Sequence, residues 1–243
     1  MDLFSLPPLA ALLDLTTQGL LAFTALLVPF VGTAAAAAAV ALVTVIVRAA
    51  LLPLGVSQAR AERDRARLAP RLRLLRERWA KNPDRLQRET LRLYRDAGVS
   101  PFAGILPVLA QTPVAGLLYA VFLHSTVGGH VNELLTYELA GVPLGMSLLH
   151  ALVSGMANAT TLGLVGVVLA VIAGTSELTR RFLRPPTDPE TPTWMIRLTE
   201  ALPFATAIVA LFVPLAAGLY LAVTTVWTFG QRMILRRRYP IRP

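Results

Sequence analysis

With 243 residues, 55% of them hydrophobic, and a mean hydropathy of +0.59, the chain is too apolar for an ordinary soluble domain and fits one polytopic membrane domain. It contains no cysteine, which excludes disulfides, thiolate metal sites and a cysteine-borne lipid anchor. A net charge of +9 raises nucleic acid as a partner, yet 13 of the 23 basic residues lie between Arg60 and Arg95, 4 between Arg180 and Arg197, 5 between Arg232 and Arg242, and the last is Arg48. Residues 1–47 and 98–179 carry no Lys or Arg, while Asp2, Asp14, Glu133 and Glu138 charge the N-terminal segment and the loop after His124. That asymmetry is the positive-inside signature of a multi-pass protein, and no specific nucleic-acid partner is expected. His124, His130 and His150 are isolated, without metal-ligand spacing, so neither a metal nor a cofactor is assigned.

Residues 1–30 continue from Pro7 and Pro8 as LAALLDLTTQGLLAFTALLVPF. Asp14, Thr16, Thr17 and Gln18 interrupt the apolar run, which predicts an interfacial helix on the outer face rather than a full span. The segment lacks the basic n-region of a signal peptide and is expected to stay outside, uncleaved. The first span is expected at about 31–54, long enough for a hydrocarbon core of about 30 Å. Arg48 stands inside it, about 9 Å past its middle toward the basic segment. A guanidinium at membrane depth costs at least about 2.5 kcal/mol, so it needs a reason. Either Arg48 snorkels to the interface, or it faces a polar cavity in the bundle and holds an anionic or polar group there.

From about 56 to 100 the chain reads as a soluble helical hairpin. Leu68, Leu72, Leu75 and Trp79 recur at helical spacing, KNPD makes the turn, and Leu86, Leu91, Leu93 and Tyr94 follow. Its thirteen basic and six acidic residues give a net charge of +7, a solvated face or a contact for anionic headgroups or ribosomal RNA, with headgroups preferred. The second span is expected at 102–123, kinked by Pro107 and Pro113, with Gln111 between them at a depth similar to Arg48. Gln111 alone also reads as interhelical glue.

Residues 125–158 have no basic residue and are placed outside, LAGVPLGMSLLHALVSGM being interfacial because a further span would put Arg180 and Arg181 on the acidic side. The third span is expected at 161–182, followed by the linker RPPTDPETPT. Residues 202–230 are too long for one span, and a break at Pro214–Gly218 gives two short ones, 202–215 and 217–233, which keeps Arg232, Arg236, Arg237 and Arg238 inside. The fold class is therefore all-α: five spans, a cytoplasmic helical hairpin, outer N-terminus and inner C-terminus.

Four ordered motifs, VRAALLPLGVSQAR, LAPRLRLLRERW, LYRDAGVSPFAGILPVLAQTPVAGLLY and FVPLAAGLY followed by WTFGQ, resemble the YidC/Oxa/Alb family of membrane-protein insertases over nearly the whole chain. The resemblance puts the family's groove arginine at Arg48 and its second-span glutamine at Gln111. It puts polar or aromatic last-span positions at Trp227 and Gln231, with the helix-breaking Pro107, Pro113 and Pro214 near the groove. Arg71, Arg73, Arg76 and Arg78 of the hairpin and Arg236, Arg237 and Arg238 of the tail become contacts for anionic phospholipid or a ribosome. The chain departs from the family with Pro70-Arg71 where Pro-Glu is common, and with Tyr220-Leu221 and Thr225 where Tyr-Trp and Asn are favoured. The resemblance implies an insertase and chaperone for client membrane proteins in a bacterial cytoplasmic membrane, alone or beside a Sec translocon. It would have no catalytic residues and no nucleotide hydrolysis. Two rival readings are a small-solute transporter built on the buried arginine and, on a weak signal from Ser154 and His150, an intramembrane serine protease.

Overall fold

The computed structural model describes residues 7–100, 102–103, 106–127, 129–183 and 193–240. It is built almost entirely of helices. The first, α1 (Pro7–Val31), is joined by a 3-10 turn (Gly32–Ala34) to α2 (Ala35–Ala50). Gly32 has φ +57°, a left-handed backbone that glycine adopts without steric penalty, and it lets the chain fold back so that α1 packs along α2. The side of α1 facing the core carries Leu13, Thr17, Leu20 and Thr24, spaced by four, three and four. A helix was expected in this segment, and α1 is a full 25 residues of it. By length and composition, Pro8–Ala50 and Ala159–Phe182 can cross a membrane, and Leu109–Leu123 is a shorter apolar helix.

Only Leu51 separates α2 from α3 (Leu52–Arg78). Pro53 has no N–H to donate to the Ala49 carbonyl and its ring crowds that oxygen, so the helix breaks and restarts with proline in its first turn. α3 packs on α4 (Pro83–Asp96), and the two helices form a hairpin. Its first helix runs unbroken from the end of α2 through Pro70, rather than opening at LAPRL. Asn82 caps α4 by accepting from the Arg85 N–H at 3.1 Å. At the tip two guanidiniums lie over the Trp79 ring, Arg85 at 4.0 Å and Arg78 at 5.4 Å from its centre.

After α5 (Leu106–Leu123) comes an irregular cap. It contains two short antiparallel pairs, β1 (Thr126–Val127) with β2 (His130–Val131) and β3 (Glu138–Leu139) with β4 (Val142–Pro143), and a six-residue helix, α6 (Leu148–Val153). Asn132 organises it. Buried to 2% exposure, its amide donates to the carbonyls of Val121 and His124 at 2.7 and 3.0 Å, and its oxygen accepts from the Leu134 N–H at 3.2 Å.

The last three helices are α7 (Ala159–Phe182), α8 (Thr193–Ala210) and α9 (Leu215–Arg238). The break between α8 and α9 falls at 211–214, a few residues before the expected Pro214–Gly218. Pro214 cannot donate to Ala210, which ends α8 there. Gly218 lies inside α9, where the Val168 side chain of α7 packs 3.4 Å from the position a Cβ would take. The first free N–H groups of α9, at Leu215 and Ala216, donate to the cap carbonyls of Met146 and Leu144, each at 2.9 Å. α9 is central, touching α2, α3, α5, α7 and α8. The core includes Val40, Val121, Phe122, Ile172, Ala216, Ala217 and Tyr220, with small residues where α2 and α9 approach closely. Ser176 ties α7 to α8 by donating to the Pro203 carbonyl at 2.9 Å.

Candidate functional site

Where the apolar core ends, α2, α3, α5 and α9 diverge around a cavity of about 720 Å³. That is room for on the order of twenty waters at about 30 Å³ each. Its walls follow from two helical faces. On α3, Gly55, Gln58, Ala59, Glu62, Arg65, Ala66 and Ala69 fall at intervals of three and one, a small and polar stripe opposite the leucines. On α9, Thr228, Gln231, Arg232, Leu235 and Arg236 recur with the same period.

Arg48 and Gln111 form the floor. Both also border a void of only about 10 Å³ among Thr44, Val47, Leu51, Ala115, Leu118 and Tyr220, so the polar space stops at their level. Below it the Tyr220 hydroxyl donates to the Ala115 carbonyl at 3.3 Å, joining α9 to α5. Arg48 stands in the last turn of α2, where the helix dipole favours a cation. It is half-buried, and among the described residues it has no hydrogen-bond or ion-pair partner, which leaves its guanidinium available to whatever enters. Four arginines and one glutamate line the cavity, a net charge of +3.

Gln231 is held in place from two sides. Its Oε1 accepts from the Trp227 indole at 2.9 Å, while its amide nitrogen fills the space beside Gly55 that a Cβ would need. Trp227, expected to face the groove, therefore acts one step behind it, orienting the glutamine that does. Further along, Arg60 donates to the Tyr239 hydroxyl at 3.2 and 3.3 Å and stacks over its ring, tying α3 to the end of α9. The hydrogen bond from Arg60 holds the Tyr239 phenol below its usual pKa.

Arg236, expected at the membrane surface, instead lines the cavity and pairs with Glu62 at 3.4 Å. Arg237 and Arg238 are exposed, as are Arg71, Arg73, Arg76 and Arg78 on the hairpin. Arg73 pairs with Glu77 at 3.0 Å. Pro113 lies inside α5, which continues through it, whereas Pro107 occupies its first turn, where a missing N–H breaks no helical bond; the Pro107 side chain is outside the described residues. Pro214 immediately precedes α9. The Ser154 hydroxyl donates to the backbone carbonyl of His150 at 2.7 Å, an ordinary helix-end contact rather than a nucleophile–base pair. Gln58, Glu62, Arg65 and Arg232 were not anticipated, although the three-and-four spacing of polar residues on α3 and α9 marks both faces.

The apolar helical bundle ends in a cationic, polar cavity, and two of its stretches, Pro8–Ala50 and Ala159–Phe182, are long and apolar enough to cross a membrane, the architecture of a membrane protein. The family model described as 60Kd inner membrane protein matches residues 27–242, and the chain belongs to that family. It is 27% identical over 213 residues to the membrane protein insertase YidC of Streptomyces avermitilis, covering 81% of this chain and 50% of that one. It is 31% identical over 209 residues to the inner membrane protein ALBINO3 of Arabidopsis thaliana, covering 81% and 45%. It is 29% identical over 222 residues to YidC of Mycobacterium leprae, covering 76% and 58%. The chain thus spans about half the length of these relatives.

Proposed function

We propose that this chain inserts client transmembrane segments through the cavity floored by Arg48 and Gln111. One observation carries the reading: Arg48 of α2, Gln111 of α5 and Gln231 of α9, distant in sequence, line one cavity with a net charge of +3. Moving a polar tail through hydrocarbon is opposed mainly by its desolvation. A hydrated, cationic recess reaching partway into the bilayer shortens the apolar path and offers acidic groups a counter-charge, with no bond made or broken and no nucleotide hydrolysed.

In this reading α2, α5, α7, α8 and α9 are the five spans, α1 lies on the outer face, and the α3–α4 hairpin and the tail are cytoplasmic, as the charge distribution favours. The membrane is the bacterial cytoplasmic membrane, and the partners are client membrane proteins and anionic phospholipid, with the ribosome and the Sec translocon as sources of clients. Two of the relatives, the YidC proteins of Streptomyces avermitilis and Mycobacterium leprae, are named membrane protein insertases, which supports the reading.

The test is insertion of a single-span client with an acidic N-terminal tail into proteoliposomes holding equal amounts of wild type, Arg48→Leu and Arg48→Lys. Loss of about 1 kcal/mol of solvent-screened charge interaction lowers insertion by Arg48→Leu about fivefold with membrane abundance unchanged. Arg48→Lys retains activity where charge alone matters and loses it where the planar fork is needed. Full insertion by Arg48→Leu across several clients refutes the groove role and returns Arg48 to a snorkelling residue.

A further inference from the structure

Among the described residues lining the cavity there is one carboxylate, Glu62, against the guanidiniums of Arg48, Arg65, Arg232 and Arg236. Glu62 extends from α3 between Gln58 and Arg65, and its Oε1 lies 3.4 Å from Arg236 Nη2 across the gap to α9. Both side chains keep solvent contact, with Glu62 46% and Arg236 26% exposed. An ion pair so placed contributes about 0–1 kcal/mol, whereas a dry pair would resist opening. The same two helices are held elsewhere by Arg60 on Tyr239 and by Gln231 against Gly55, so the Glu62–Arg236 pair can open without parting the walls.

We infer that Glu62 is a specificity-determining counter-charge, occupying the arginine cluster until a client carboxylate displaces it. This rests on the insertase reading above. With Glu62 present an entering carboxylate meets a net +3 and a carboxylate already paired with Arg236; without Glu62 it meets +4. A client tail that carries no charge gains nothing from the exchange. Glu62 thereby sets how much negative charge a client must bring before the cavity favours it.

The experiment compares wild type, Glu62→Gln, Glu62→Asp and Arg48→Leu at equal amounts in proteoliposomes, using single-span clients whose N-terminal tails carry zero, one or three Asp. Removal of a competing exposed pair raises insertion of the one-Asp client by about two- to fivefold in Glu62→Gln. The three-Asp client gains less, the uncharged client is unchanged, and Glu62→Asp, which keeps the charge, behaves like wild type. Equal effects on charged and uncharged clients assign Glu62 a structural role and overturn the inference, as does unchanged or lowered insertion of the one-Asp client. Arg48→Leu separates the two readings: when it lowers acidic-client insertion and Glu62→Gln leaves it unchanged, only the Glu62 inference fails. When neither variant alters acidic-client insertion, the groove reading fails as well. Should Glu62→Gln not accumulate in the membrane, Glu62→Ser removes the same charge and is read by the same outcomes.

Discussion

Replacing Gly55 by alanine tests how the walls of the cavity are joined. A Cβ at this position collides with the Gln231 amide, which must swing away because the α3 backbone cannot. In leaving, Gln231 gives up the 2.9 Å hydrogen bond from Trp227. A side-chain hydrogen bond of this kind contributes about 1 kcal/mol net. Alanine in a helix is favoured over glycine by about 0.5–1 kcal/mol, so the two effects nearly cancel and the unfolding free energy of Gly55→Ala changes by less than about 0.5 kcal/mol. The cancellation is exposed by repeating the substitution in a Gln231→Ala background, where nothing is left to collide with and the full helix gain of about 0.5–1 kcal/mol emerges. Denaturant titration in detergent measures both. Trp227 emission, isolated by Trp79→Phe and Trp194→Phe, reports the lost hydrogen bond directly. Equal stabilisation in both backgrounds, with unaltered Trp227 emission, refutes the packing of Gln231 against Gly55.

Two further outcomes follow from the structure. Asn132→Ala removes a side chain that satisfies three backbone groups, at about 2–4 kcal/mol; the thermal midpoint drops, while insertion per folded molecule is unchanged because Asn132 is not among the residues lining the cavity. A single cysteine at Asn82, introduced into a chain that has none, stays unreactive to an impermeant reagent added outside intact cells, and labelling there overturns the assignment of the hairpin to the cytoplasm.

The positions of Arg48 and Gln111 were readable because a charge and an amide inside apolar runs violate the hydropathy pattern. The hairpin was readable because its leucines and the Asn82-Pro83 turn carry strong local signals. Less legible was anything whose cause lies across the chain. The α8–α9 break is at 211–214 because Pro214 acts backward on Ala210, while Gly218, which looks like part of the break, serves close packing on Val168. The start of α8 at Thr193 was hidden because Arg197, Thr199 and Glu200 lower the hydropathy without opposing a helix. Arg236 read as one more basic tail residue, since nothing local says that Glu62, 174 positions earlier, faces it. Asn132 gave no signal at all, because two of its partners lie 8 and 11 residues back, across the turn into the cap.

The single non-helical residue between α2 and α3 gives the hairpin mechanical leverage over the cavity. Measured from Leu51, Gly55 is about 6 Å along the axis and Arg78 about 40 Å, at 1.5 Å per residue. A rotation of about 10° about that pivot carries the far end some 7 Å but moves the wall beside Gln231 by only about 1 Å. A small load at the tip, where Arg78 and Arg85 lie over Trp79, is thus converted into a larger force over a short stroke at the wall that carries Gly55, Gln58 and Glu62. Whatever grips the tip of α3 holds the long arm of a crank whose short arm sets the width of the space above Arg48.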